Sequence, residues 1–233
     1  TTAAAAELGE QLAREVSGAV RYHLLRALAR MAVHDEIIIA APLLLAELQL
    51  HLGEYCLLLA LAVPIYADGD VRESAALLRG ILADKTSQAL DRAFLALQAL
   101  HPREDIRGIA RAIKGADQRA RAHGAEFLDT LTRSPLYTRG DTTRIRARLL
   151  VLGEELEDRE RLARIGLAAS IPASAADAVV CLLAAPDSLL SACAAYYALD
   201  LETPELAAAI DELGADRPLL ERLSVDHRSA RVR

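Results

Sequence analysis

From Asp117 the chain places Ala120, Arg121, Gly124, Ala125 and Leu128 at offsets 3, 4, 7, 8 and 11. These offsets share one face of an α-helix, which turns once every 3.6 residues. An acid at offset 0 suits an N-cap, its carboxylate accepting from the free amides of the first turn. A shift of 70 residues gives Asp187, Leu190, Ser191, Ala194, Ala195 and Ala198. Ser17, Val20, Arg21, Leu24, Leu25 and Leu28 repeat the spacing near the start, and a weaker copy runs from Asp70 through Leu77, Leu78 and Ile81.

The copies at Asp117 and Asp187 follow another helical pattern: Ile106, Ile109, Ala110 and Ile113 before Asp117, and Ala176, Val179, Val180 and Leu183 before Asp187. The unit is therefore a helical hairpin of roughly 35 residues, too small to bury its own apolar face, so hairpins must stack. Small residues at offsets 7 and 8 let the neighbouring helix come close. Breaks are predicted at His34–Asp35, Ala67–Asp70, His101–Asp105, Lys114–Asp117, Arg133–Asp141, Ile171–Ser174, Ala185–Asp187 and Glu202–Pro204. At most of these, Gly or Pro stops or starts a helix. The pattern predicts an all-α chain: a right-handed HEAT/armadillo-like α-solenoid of stacked antiparallel helical hairpins, with about ten helices. Residues 1–233 are read as a single domain, and the opening "TTAAAAELGE" as the cut edge of a longer protein.

Composition sharpens this picture. Hydrophobic residues make up 53% of the chain and aromatics only 3%, without Trp, so the interior must be built from Leu, Ala, Ile and Val. Such side chains favour closely spaced helices. A net charge of −6 argues against general attraction to nucleic acid, which needs a positive field to displace counterions. Cys56, Cys181 and Cys193 lack any CxxC pairing and read as small buried hydrophobes of a reduced compartment. Glu47, Gln49, His51 and Glu54 interrupt the apolar run Ile37–Tyr66. That run is expected to be a helix packed on both sides, not a transmembrane segment.

Little of the charge reads as chemistry. Glu47, His51 and Glu54, at offsets 0, 4 and 7, share one helical stripe within reach of a single metal ion. As two carboxylates and one imidazole on a single helix they read mainly as the wet stripe of an apolar helix, and no metal or cofactor is expected. Glu126 and Asp129 could divide acid and base roles, but such work needs a cleft and unequal environments. Beside Arg119, Arg121 and Arg133 they read as ion pairs between hairpins. Arg139, Arg144 and Arg148 form a candidate interaction patch for an acidic partner or lipid phosphate, with Arg146 pointing away from the face shared by Arg144 and Arg148. The acids of "EELEDRE", Glu154–Glu160, favour a salt-bridged surface instead. No Walker A loop, GxGxxG, GxSxG or HExxH occurs, so no catalytic residue is assigned.

One stretch resembles a known family. "LDRAFLALQALHPREDIRGIARAIKGADQRARAHGAEFLDTL", Leu90–Leu131, is similar to the HEAT-repeat region of bacterial proteins that resemble ATP/ADP translocases. The residues that carry the likeness are Asp91, Arg92, Phe94, Leu97, Leu100, Pro102, Asp105, Ile106, Arg121, Ala122, Glu126, Leu128 and Asp129. Ile171–Leu199 looks like the closing repeat of that family. The resemblance implies a cytosolic region attached to a membrane bundle of the major-facilitator type, and it brings no nucleotide site to these residues. The expectation is a non-catalytic interaction or regulatory domain, cytoplasmic and tethered through a parent protein. Its partner would be another protein or an adjacent domain of the parent chain. The alternative is a repeat-scaffold enzyme or nucleic-acid binder of the HEAT-like DNA glycosylase type. The positions of Arg103, Arg107, Arg111, Lys114, Arg119 and Arg121 discriminate the two: one shared groove favours the alternative, and scatter over turns favours the interaction domain.

Overall fold

The computed structural model describes residues 1–137, 140, 142–201 and 203–214. Among these, every regular element is helical: α1 Thr2–Arg14, α2 Gly18–His34, α3 Ala41–Ala67, α4 Glu73–Leu100, α5 Ile106–Lys114, α6 Gln118–Thr132, α7 Thr142–Leu152, α8 Asp158–Arg164, α9 Ala175–Leu183, α10 Ser188–Leu201 and α11 Pro204–Gly214. The chain is all-α. Among the described residues, the breaks expected from Pro, Gly and Asp fall at or between helix ends. The α1–α2 turn has neither Gly nor Pro and closes another way, with the Glu15 carboxylate accepting from the amides of Val16 at 2.9 Å and Ser17 at 2.7 Å.

The chain divides into two compact units. The first takes Thr1–Cys56 and Ser87–Ile165, the second Leu57–Thr86 and the described residues from Gly166 onward. In the first, α1 packs on α2, and α5, α6, α7 and α8 pack each on the next. Leu25, Leu28, Leu44, Leu48, Leu52 and Leu97 are fully buried there. In the second unit α9 packs on α10, and α11 packs on both. Its interior includes Ile65, Leu78, Leu82, Leu182, Leu183 and Tyr197.

The spacing read from the sequence has a physical counterpart. Ser17 and Asp117 cap α2 and α6 through their side chains, and Asp187 accepts from the Leu190 amide at 3.0 Å at the start of α10. At offset 4 from each cap sits a donor that reaches back to the end of the preceding helix. Arg21 donates to the Glu15 carbonyl, Arg121 to the Gly115 carbonyl at 2.8 Å, and Ser191 to the Leu183 carbonyl at 2.7 Å. Arg161, at the same offset from the N-cap Glu157 of α8, reaches the Glu154 carbonyl at 3.5 Å. Helix ends leave carbonyls without intrahelical partners, and a cation there also meets the negative end of the helix dipole. The polar residue in an otherwise apolar slot is thus a latch that closes the hairpin.

Small residues at offsets 7 and 8 do allow close approach. A Cβ on Gly124 would lie 3.2 Å from Ile113 Cδ1 of α5, and one on Gly153 would overlap Ala125 Cβ. So α6 uses one small residue against the helix before it and another against the end of the helix after it.

Three expectations shift. In α9 the buried residues are Ala178, Val179, Leu182 and Leu183, while Val180 is 42% exposed. Nearly every residue of this helix is apolar and two helices pack on it, so periodicity alone could not fix its phase. Asp70 does not start a helix: it accepts from the Arg72 amide at 2.9 Å, and α4 begins at Glu73. Cys56 and Cys193 are buried, but Cys181 is exposed.

Among the described residues α3 is long and apolar enough to cross a membrane by length and composition, and 61% of its most apolar window is buried inside the protein. The helix runs through Pro64, which has no amide to offer the carbonyl one turn back.

Candidate functional site

The stripe on α3 becomes an ionic cluster in the first unit, buried at Glu47 and His51 and half-exposed at Glu54. Glu47 is 4% exposed and His51 only 1%, in a helix that otherwise buries leucines. His51 Nε2 lies 3.4 Å from Glu47 Oε2, and Nδ1 lies 3.2 Å from Glu54 Oε2. Two arginines complete the cluster. Arg21 of α2 places Nη2 2.5 Å from Glu47 Oε1, and Arg92 of α4 places Nη2 2.7 Å from Glu54 Oε1. Arg92 Nε also lies 3.2 Å from His51 Nδ1. A neutral imidazole can use Nδ1 for only one neighbour: it accepts from Arg92 or donates to Glu54. Burial pushes the Glu54 carboxyl up, but hydrogen bonds from His51 and Arg92 outweigh it and hold the group below its ordinary 4.5.

This arrangement ties α2, α3 and α4 together, and two guanidiniums balance two carboxylates. Each arginine takes the Oε1 oxygen of its carboxylate, and no group of three His, Cys, Asp or Glu residues that could hold a metal ion occurs among the described residues. Neither arginine is joined to the stripe by sequence spacing. The available signal was that Arg21 and Arg92 each sit in a strongly apolar stretch, where an unpaired charge would be costly.

Glu126 and Asp129 separate. Asp129 receives Arg133 at 2.5 Å and Arg146 at 3.5 Å, bridging α6 and α7, while Glu126 is exposed. The hydrogen bond from Arg133 holds the Asp129 carboxyl below its usual range. Arg139 lies outside the described residues. Arg144 is exposed, whereas Arg148 is half-buried and turns onto α3, donating to the Gln49 carbonyl at 3.4 Å. Arg144 and Arg148 therefore do not present a common outward face. The acids of Glu154–Glu160 meet other partners: Glu154 meets Arg164, Glu155 meets Gln118 and Arg121, and Asp158 meets Arg161.

The six basic residues that discriminate the two readings divide. Arg103 and Arg119 are exposed near turns, Lys114 pairs with Asp91 at 2.8 Å, and Arg121 serves as a hairpin latch. Arg107 and Arg111 differ. Helix α5 is strongly amphipathic, burying Ile106, Ile109 and Ile113 and so turning both arginines outward. Its start is fixed by Asp105, which accepts from the Gly108 amide at 2.9 Å. Neither arginine has a carboxylate within ion-pair distance among the described residues. Both line a cleft of about 500 Å³ with Tyr22 of α2, Phe94, Leu95 and Gln98 of α4, and Ile106 and Ala110 of α5. Gln98 supports this corner, donating to the carbonyls of His101 at 3.4 Å and Glu104 at 3.2 Å. Nearby, His101 Nε2 is 2.6 Å from the hydroxyl of buried Tyr137. Burial raises the Tyr137 phenol, keeping it a donor, and lowers His101.

Comparison with protein-family models, curated proteins and solved structures finds no match.

Proposed function

We propose that the protein is a non-catalytic helical-repeat interaction module, an α-solenoid of HEAT-like hairpins that binds a partner protein or an adjacent domain of a longer parent chain. One observation carries the reading. The charged groups that look most chemical, Glu47, His51 and Glu54, are paired with one another and with Arg21 and Arg92, the first two of them buried, while Arg107 and Arg111 border an open, largely apolar cleft without a carboxylate partner. Charge that is already neutralised holds the fold, and charge left beside an apolar surface suits recognition.

The recurring offset-4 latch supports the repeat reading, because the same hydrogen-bonding solution closes three separate hairpins, α1–α2, α5–α6 and α9–α10. The resemblance of Leu90–Leu131 would place the module in the cytosol beside a transporter-like membrane bundle, with α3 as a core helix of the module. In that setting it would do regulatory work through contact and would not itself carry the transported substrate. The rival reading, a glycosylase-type repeat scaffold, would use the arginines and rings of the same cleft, so duplex DNA belongs among the probes.

The test is cross-linking of the full-length parent protein in cells, followed by titration of any cross-linked partner or domain as a purified component. Saturable binding of a defined partner is expected. A parent chain with neither a partner nor an inter-domain cross-link to this region would overturn the reading.

A further inference from the structure

We infer that the cleft between α2, α4 and α5 is the docking site for an acidic peptide segment that also carries apolar side chains; this rests on the interaction-module reading. The cleft has room for a few side chains, and pockets of about 300–1,000 Å³ are those that bury ligands. Its lining is divided by chemistry. Half-buried Leu95 and Ala110, backed by buried Phe94 and Ile106, make an apolar floor, and Tyr22 contributes a ring from α2. On the α5 side stand Arg107 and Arg111, four residues apart and so one above the other on the helix surface.

Charge identifies the occupant. The neighbouring cations are already answered: Lys114 by Asp91, Arg92 by Glu54 and Arg21 by Glu47. Asp91, the acid that lines the cleft, is held by Lys114, so the field left at the mouth comes from two guanidiniums. A guanidinium presents a planar fork that matches a carboxylate with two parallel hydrogen bonds. The apolar floor calls for an uncharged side chain beside that carboxylate, which a free inorganic anion lacks. Two cations on a chain of net charge −6 are a small footprint for a phosphate backbone, whose grip grows with the number of phosphates neutralised. A peptide with acidic residues one helical turn apart, flanked by Leu or Phe, satisfies both halves of the lining at once.

The experiment is selection of a displayed random peptide library on the purified protein and on the Arg107→Glu/Arg111→Glu double variant. The best peptide is then measured by fluorescence anisotropy. Sequences combining Glu or Asp with Leu or Phe should be enriched on the wild type alone. The selected peptide should bind at least about tenfold more weakly to the double variant, and more weakly at higher salt. Both arginines are exposed, so the melting temperature of the double variant should match the wild type. Arg144→Glu, an exposed change on α7, should leave binding intact, and Tyr22→Ser should weaken it. Enrichment of basic or purely apolar sequences, or no enrichment, overturns the proposal. So does displacement of the peptide by inorganic phosphate alone, which would mark a simple anion site, or tighter binding of duplex DNA through the same arginines, which would favour the nucleic-acid alternative. A cross-linked partner whose binding ignores the double variant would sink the cleft while leaving the interaction module standing.

Discussion

Arg92 on α4 and Arg107 on α5 are the same side chain in two opposite situations. The first is 4% exposed and is spent on Glu54 and His51; the second stands in solvent at the edge of an apolar cleft. Buried, a guanidinium must be fully answered inside the protein, because an unpaired charge in low dielectric is expensive. Exposed, it costs the fold nothing and remains available. In this protein, then, a cluster of charged residues within one stretch is spent on structure, and the cation without a carboxylate partner is found beside the open cleft.

The sharpest way to break that comparison is to truncate both kinds of arginine. Arg92→Ala removes a buried guanidinium and its hydrogen bonds to Glu54 and His51, and is expected to cost about 2–3 kcal/mol, read as the midpoint of urea unfolding. Arg107→Ala and Arg111→Ala should stay within about 0.5 kcal/mol of the wild type. Equal losses at the two places would mean that the α5 arginines are structural too. Gly153→Ala drives a methyl group into Ala125 Cβ and Cα, and overpacking of this kind should cost about 2 kcal/mol in the same measurement.

Smaller effects test the latch. Arg121→Ala and Ser191→Ala each remove a hydrogen bond to a helix end and should each cost about 1 kcal/mol. A loss at Ser191 alone would show that the long arginine arm adds little.

The pH dependence is the mildest probe, and its sign follows from the directions of the shifts. Glu54 is held below its ordinary 4.5, so its stabilisation is complete above that pH and is lost as pH falls through the lowered value. His101 is held below 6.5 by burial, so the unfolded chain takes up its proton first and stability begins to fall below pH 6.5. Urea midpoints measured down a pH series should therefore drop in two stages. Glu54→Gln should make the lower one shallower, with Asp129 contributing to what remains, and Tyr137→Phe should lower stability at neutral pH by about 1 kcal/mol by leaving His101 Nε2 without its hydroxyl.

Much of the helix layout was legible because its causes are local. Ser17 and Asp117 act on amides two or three residues away, and Pro and Gly act on their own backbone, so the sequence carried those instructions in the open. Phase was legible where a helix is half apolar, as in α5, and was lost in α9, where nearly every residue is apolar and neighbours decide which side is buried. The candidate sites were harder. Glu47, His51 and Glu54 were visible as a stripe, but Arg92 lies 38 residues beyond Glu54 and Arg21 lies 26 before Glu47. Tyr22 and Phe94 gave no sign of meeting Arg107 and Arg111, since each reads as ordinary core or surface on its own helix.

By itself, then, the sequence determined that the chain is helical, where most helices begin and end, and which spacing recurs between hairpins, because these depend on contacts within a few residues. Only the tertiary structure decided which charges are answered and which are left open. That balance is set by helices brought together from distant parts of the chain, and one carboxylate arriving from another helix is enough to turn an open arginine into a structural one.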